Sequence, residues 1–229
     1  MDSNNNMEII AYFKSDFPTK FGIPRQSGII DELEGRIEFV PKYNNPNAFK
    51  GLEDFSHLWI IWKFSHSIKE NLSLTVKPPR LGGNKRMGVF ATRSPFRPNP
   101  IGLSCVKILK LEFSSAKVPI IYVSGADLMD NTPIYDIKPY LSYTDSHPDA
   151  KCGFADDVAG YCLEVVFPED MLNLIPEDKR NAAVKILRHD PRPAYICDEN
   201  RKFGVEFAGF DIRFKVSGNI LTVFEVVRL

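Results

Sequence analysis

Ile101-Gly-Leu-Ser-Cys-Val-Lys-Ile-Leu-Lys-Leu-Glu-Phe-Ser-Ser-Ala-Lys-Val-Pro-Ile-Ile-Tyr-Val-Ser-Gly125 reads as two β-prone runs, Ile101–Leu111 and Val118–Gly125, with no amphipathic helix between them. Upstream the same texture continues. Glu8–Phe13, Gly35–Val40, His57–Phe64, Leu72–Val76 and Gly88–Arg93 are further strand candidates, set off by Gly/Pro turns. One short helix is expected at Pro46–Leu52, with Asn44 and Asn45 available as caps. Strands at this spacing point to a sandwich or a barrel rather than a doubly wound sheet.

From about Asp149 the pattern changes. Pro168-Glu169-Asp170 and Pro176-Glu177-Asp178 each put a proline and then acids at a helix start, where the dipole favours negative charge. The second helix is predicted to run to about Leu187 and to bury Ala183, Ile186 and Leu187. Two β-runs follow, Gly204–Val216 and Ile220–Val227, hinged at Ser217-Gly218-Asn219. The expected layout is a disordered tail at 1–6, a mainly β domain at 7–148 and a small α/β domain at 149–229.

The chain's 229 residues are 44% hydrophobic and 25% charged, which excludes global disorder, and the formal charge is zero. Contact with nucleic acid must therefore come from local clustering. Met1–Met7 lacks the basic and apolar stretches of a signal peptide, and the longest apolar run, Leu58–Phe64, is broken by Lys63. A soluble cytoplasmic protein with no membrane partner is expected. Cys105, Cys152, Cys162 and Cys197 form no Cys-x-x-Cys pair, so reduced, mostly buried thiols are predicted. His57, His66, His147 and His189 form no ligand pattern, and no metal site is expected.

Chemistry concentrates in Lys77–Pro100. This stretch holds six basic residues (Lys77, Arg80, Lys85, Arg86, Arg93, Arg97), five prolines and no acid. Prolines fix φ, so the loop is stiff as well as cationic and loses little entropy on binding an anion. It reads as an anion or nucleic-acid surface, against the plainer alternative of a solvated basic loop. Gly82-Gly83 has neither the Gly-x-Gly-x-x-Gly arrangement nor a following Gly-Lys-Ser/Thr, so a nucleotide-like cofactor must be held some other way.

Asp127-Leu-Met-Asp-Asn-Thr-Pro133 ends a β-run in a turn. Its two acids suit ribose hydroxyls or a sulfonium, and turn capping explains them equally. Arg25, in Pro24-Arg25-Gln26, could clamp a carboxylate. Asp190-Pro-Arg-Pro-Ala-Tyr195 is a rigid acid–arginine–aromatic cluster of the kind that suits a splayed RNA base.

Together these segments resemble the TsaA-like family, the bacterial tRNA N6-threonylcarbamoyladenosine N6-methyltransferases. The resemblance rests on Pro24–Gln26, Gly51-Leu-Glu-Asp-Phe-Ser-His-Leu-Trp59, Arg80–Gly102, Asp127–Pro133, Asp136–Tyr140 and Asp190–Tyr195, and so covers nearly the whole chain. It implies an N-terminal β-barrel that binds S-adenosylmethionine without a Rossmann fold, a homodimer with cofactor sites near the subunit interface, and a C-terminal domain that holds the anticodon arm. Carried over by matched motif, the cofactor contacts are Pro24, Arg25, Gln26, His66, Ser67, Arg93, Leu103, Asp127, Leu128, Met129 and Asp130. The RNA side takes Arg80, Lys85, Arg86, Arg97 and Arg192, with Asp190 and Tyr195 as candidate general bases.

The implied reaction is an in-line methyl transfer, in which alignment and exclusion of water do most of the work. Two other readings stay open: a non-catalytic RNA-binding barrel, and a small-molecule methyltransferase on the same cofactor site.

Overall fold

The computed structural model describes residues 7–67, 73–78, 85–114, 117–158, 160–192, 198 and 201–229. The expected tail at 1–6, and Arg80, Gly82, Gly83, Tyr195 and Cys197, lie outside the described residues. In chain order the first strands are β1 (Ala11–Lys14), β2 (Glu34–Phe39), β3 (His57–Lys63), β4 (Thr75–Val76), β5 (Met87–Gly88) and β6 (Ile101–Ser114). They are followed by β7 (Lys117–Ser124), β8 (Thr132–Pro139), β9 (Glu164–Val166), β10 (Phe203–Phe207), β11 (Phe210–Ser217) and β12 (Ile220–Arg228). Contacts separate two compact units. One holds the described residues among 7–15, 26–72 and 95–140, the other those among 16–25, 73–94 and 141–229.

The first unit is a closed antiparallel barrel in the order β1-β2-β7-β6-β3-β8, with β8 pairing back onto β1. The barrel alternative of the sequence reading is the one realised. β3 shows why: in His57-Leu-Trp-Ile-Ile-Trp-Lys63 every second residue, Leu58, Ile60 and Trp62, turns into the core. They meet Phe13, Ile37, Val106, Ile121, Val123 and Ile134 there. Burying each such side chain stabilises by about 1.5–3 kcal/mol. Trp62 lies against β6 at Gly102, where any Cβ would sit 2.2 Å from the indole Cε2, so only glycine fits.

Several local expectations are corrected. Gly88–Arg93 is not a strand: after β5 the chain turns through a 3-10 helix at Val89–Ala91, because the Thr92 hydroxyl and amide both donate to the Val89 carbonyl. The predicted helix at Pro46–Leu52 is two 3-10 turns, Pro46–Phe49 and Leu52–Asp54, parted by Gly51 at φ 90°. Asn45 does cap the first, its side chain accepting from the Asn47 amide. β8 went unread because Pro133 and Pro139, near its two ends, speak against a strand. Among the described cysteines, Cys105 and Cys162 are half-buried and Cys152 is exposed, so the thiols are not mostly buried.

The second unit holds a four-stranded sheet, β10-β11-β12-β9, with β9 parallel to β12, and a short antiparallel pair of β4 and β5. Helices α1 (Ser142–Asp145), α2 (Glu169–Leu172) and α3 (Glu177–Arg188) accompany it. α3 follows its sequence reading and buries Ala182, Ala183, Ile186 and Leu187. The run Gly204–Val216 is a hairpin instead of one strand. It reverses at Ala208-Gly209, both at positive φ, and an alanine there hides the turn signal. Residues 16–25 join this unit because Phe17 is buried and packs 5.2 Å from Phe207, while the Ala208 amide bonds the Asp16 carbonyl at 3.0 Å.

Candidate functional site

Register fixes which barrel loops share an end. Lys14 lies opposite Arg36, Glu34 opposite Ser124, Lys63 opposite Ile101, Trp62 opposite Ile134 and Phe13 opposite Thr132. The chain therefore leaves β1, β3 and β7, and enters β2, β6 and β8, at one end. Three connections depart from it: residues 15–33, 64–100 and 125–131. They carry every cofactor candidate except Leu103, which stands two residues into β6 with its side chain 54% exposed. Within the barrel unit this end unites Gln26, His66, Ser67, Leu103 and Asp127–Asp130; Pro24, Arg25 and Arg93 group with the other unit.

The 125–131 turn is held from several sides. From β1, the Ser15 amide donates to Asp130 Oδ1 at 3.2 Å and its hydroxyl to the Leu128 carbonyl at 3.0 Å. The Gly28 amide donates to the Gly125 carbonyl at 2.8 Å, and Ser27 Oγ accepts from the Cys105 amide at 3.0 Å. These bonds draw the Gln26 segment, the start of β6 and the turn together. From inside, Trp62 Nε1 donates to Ser104 Oγ at 2.9 Å, and the Ser104 hydroxyl donates in turn to Asp127 Oδ1 at 2.5 Å. Since the indole can only donate, the serine proton is directed at the carboxylate.

The turn residues divide in role. Leu128 is buried in the core, so a ligand could meet only its backbone. Asp130 braces the turn, its Oδ2 accepting from Asn131 Nδ2 at 2.7 Å. Asp127 is the oriented carboxylate. Ser15, Ser27, Ser104 and Trp62 were not picked out from sequence, although a small polar residue at an inward position of β6, between Gly102 and Val106, was a usable signal.

The donor set fits S-adenosylmethionine. Leu103 offers an apolar surface for a purine, Asp127 a carboxylate for hydroxyl or ammonium donors, and Gln26 and His66 further polar partners. Among the described residues no group of three or more His, Cys, Asp or Glu could hold a metal ion.

The basic candidates are not gathered in one unit. Lys85 and Arg86 belong to the second, where Arg86 Nη1 donates to Thr75 Oγ1 at 2.9 Å, while Arg97 belongs to the barrel. Arg192 is closely engaged. Its Nε meets Asp190 Oδ1 at 2.8 Å, its Nη2 meets Oδ2 at 3.0 Å, and its amide meets Oδ1 at 3.3 Å. The Tyr161 hydroxyl donates to Asp190 Oδ2 at 3.2 Å. Each oxygen thus accepts two bonds, the full capacity of a carboxylate. Asp190 holds the Arg192 guanidinium above its ordinary pKa, and burial foremost raises that of Tyr161.

Comparison with known proteins covers both units. The tRNA-methyltransferase O N-terminal domain matches residues 12–146, and the TrmO C-terminal domain matches 162–229. The chain is 38% identical to the tRNA (adenine(37)-N6)-methyltransferase of Escherichia coli, over 97% of each protein. It is 37% identical, over 90% of each, to a Pseudomonas aeruginosa protein named for S-adenosylmethionine-dependent methyl transfer. A crystal structure of TrmO from P. aeruginosa superposes with a TM-score of 0.80 at 29% identity, covering 100% of this chain and 99% of that one.

Proposed function

The chain belongs to the tRNA-methyltransferase O family, and from that premise we propose that its acceptor is the N6 of threonylcarbamoyladenosine beside the anticodon. It is an S-adenosylmethionine-dependent tRNA (adenine(37)-N6)-methyltransferase. The observation that supports the proposal is the bonding, at one barrel end, of Ser27, the start of β6 and the braced Asp127–Asp130 turn.

S-adenosylmethionine supplies the methyl group as an electrophile. The chain's own residues bind, orient and shield. Asp127, fixed by Ser104, receives hydroxyl or ammonium donors; Leu103 covers the purine; Gln26, His66, Ser67 and the backbone of Leu128 and Met129 complete the cradle. Pro24, Arg25 and Arg93 are cofactor contacts carried over from the family resemblance. Arg80, Lys85, Arg86 and Arg97 supply charge for RNA phosphates, whose contacts dominate affinity. An anticodon-loop base is already unpaired, so everting it costs less than extrusion from a duplex.

Ile101 and Leu103, exposed on the outer wall of β6 where Leu103 lies opposite Ile61, support a homodimer beside the cofactor end. The proposed setting is the cytoplasm. No helix among the described residues is long and apolar enough to cross a membrane.

Mass spectrometry of tRNA nucleosides from cells with and without the gene tests the acceptor. Loss of one methyl mass from threonylcarbamoyladenosine is expected. An unchanged nucleoside profile overturns it and leaves a non-catalytic RNA-binding barrel as the better reading.

A further inference from the structure

Asp190 occupies an expensive position. It follows the C-cap of α3 at φ 51°, where glycine is the usual residue, and it is 8% exposed. Its carboxylate also stands at the negative end of the helix dipole. Left-handed backbone, burial and an unfavourable dipole each disfavour aspartate there, so the side chain must do something glycine cannot. It makes the four bonds described above and has no lone pair left for a substrate proton. Arg192, with its side chain only 14% exposed, is likewise turned inward.

The member of this cluster that faces outward is Tyr161. Tyr161 is 44% exposed while its hydroxyl is tied to the buried pair. The segment that carries it runs along the end of α3, the Leu163 amide donating to the Arg188 carbonyl at 2.8 Å, and Arg188 is exposed. An aromatic ring whose orientation is fixed before binding is a platform for an unstacked nucleobase.

We propose that Tyr161 stacks on a base of the tRNA substrate, and that Asp190 and Arg192 are positioning residues that hold its hydroxyl, with no proton transfer through Asp190. The inference rests on the tRNA reading given above. It adds a contact outside the Asp190–Tyr195 motif and removes Asp190 from the role of general base.

The test measures single-turnover methylation of tRNA purified from cells lacking the gene, as a function of tRNA concentration and pH. The full-length variants are Tyr161→Leu, Tyr161→Trp, Tyr161→Phe and Asp190→Asn, each checked for wild-type melting and wild-type affinity for S-adenosylhomocysteine. Tyr161→Leu should raise the half-saturating tRNA concentration at least tenfold with a smaller change in the maximal rate. Tyr161→Trp should restore it to within about threefold, and Tyr161→Phe should lie between. Asp190→Asn should follow Tyr161→Phe and keep the wild-type pH profile.

Equal affinities for Tyr161→Leu and wild type overturn the stacking role. A rate loss of a hundredfold or more in Asp190→Asn, with a flattened pH profile, overturns the positioning role and makes Asp190 the base. A Tyr161 variant that melts early is replaced by Tyr161→His, which keeps a ring and must rank with Tyr161→Trp or the stacking role falls; Asp190→Asn, which leaves Arg192 without its partner and melts earlier, is assayed below its own transition, where its pH profile decides its role. If wild type transfers no methyl group to this tRNA, the substrate reading fails, which is a different result from any ranking among variants.

Discussion

In the barrel, six strands close on themselves and every ladder is paired; in the second unit, four strands stay open, with β10 and β9 at the ends of the sheet. Closure makes the barrel rigid and leaves the connections at its ends as the places where chemistry can be hung. There the polar residues brace short turns, as Ser15, Ser27 and Ser104 do. The open sheet has no such rim. The Asp190–Arg192 cluster proposed for the RNA side hangs from the end of one helix and is held by a buried ion pair. A closed sheet can thus position ligands through backbone turns and small hydroxyls, whereas an open one relies on a charged pair that is costly to bury.

That contrast can be broken by substitution, and the largest effect should come from the barrel core. Trp62→Ala removes a buried ring and the donor that fixes Ser104, so we expect about 3–5 kcal/mol of destabilisation in urea melts, with loss of cofactor binding. Arg192→Met should come next. It leaves Asp190 buried without its partner, at a cost of roughly 3 kcal/mol, and Asp190→Asn in the same chain should recover part of it; additive losses would mean the pair is not coupled.

A smaller effect is expected at Ser104→Ala. One buried bond to Asp127 is lost, so calorimetry should show S-adenosylhomocysteine binding about tenfold weaker, with a loss of only about 1–2 kcal/mol in the melt. The smallest belongs to the barrel surface. Glu38→Gln breaks the exposed pair with Arg36 and should move stability by less than about 1 kcal/mol.

The barrel was legible wherever a strand alternates or stays apolar, as in Leu58-Trp-Ile-Ile-Trp62, and so was α3, whose proline and acids mark its start. β8 was not, because its prolines speak locally against a strand that closure of the barrel nonetheless requires. The turn at Ala208-Gly209 was hidden by an alanine in a conformation alanine seldom takes.

For the site, the motif segments were legible as a list, and their meeting at one end was not. That follows from barrel register, which no single stretch contains. Ser104 and Tyr161 escaped for the same reason: each matters through a partner 23 or 29 residues away in sequence.

The account stands or falls on whether the barrel end holds the methyl donor. Its most direct test is calorimetric titration of S-adenosylhomocysteine into wild-type protein, Asp127→Ala and Asp190→Asn. Binding to wild type, weakening of at least tenfold in Asp127→Ala and no change in Asp190→Asn is the predicted pattern. Equal affinity in Asp127→Ala and wild type would contradict it and move the cofactor away from the turn that β1, β6 and Ser27-Gly28 hold in place.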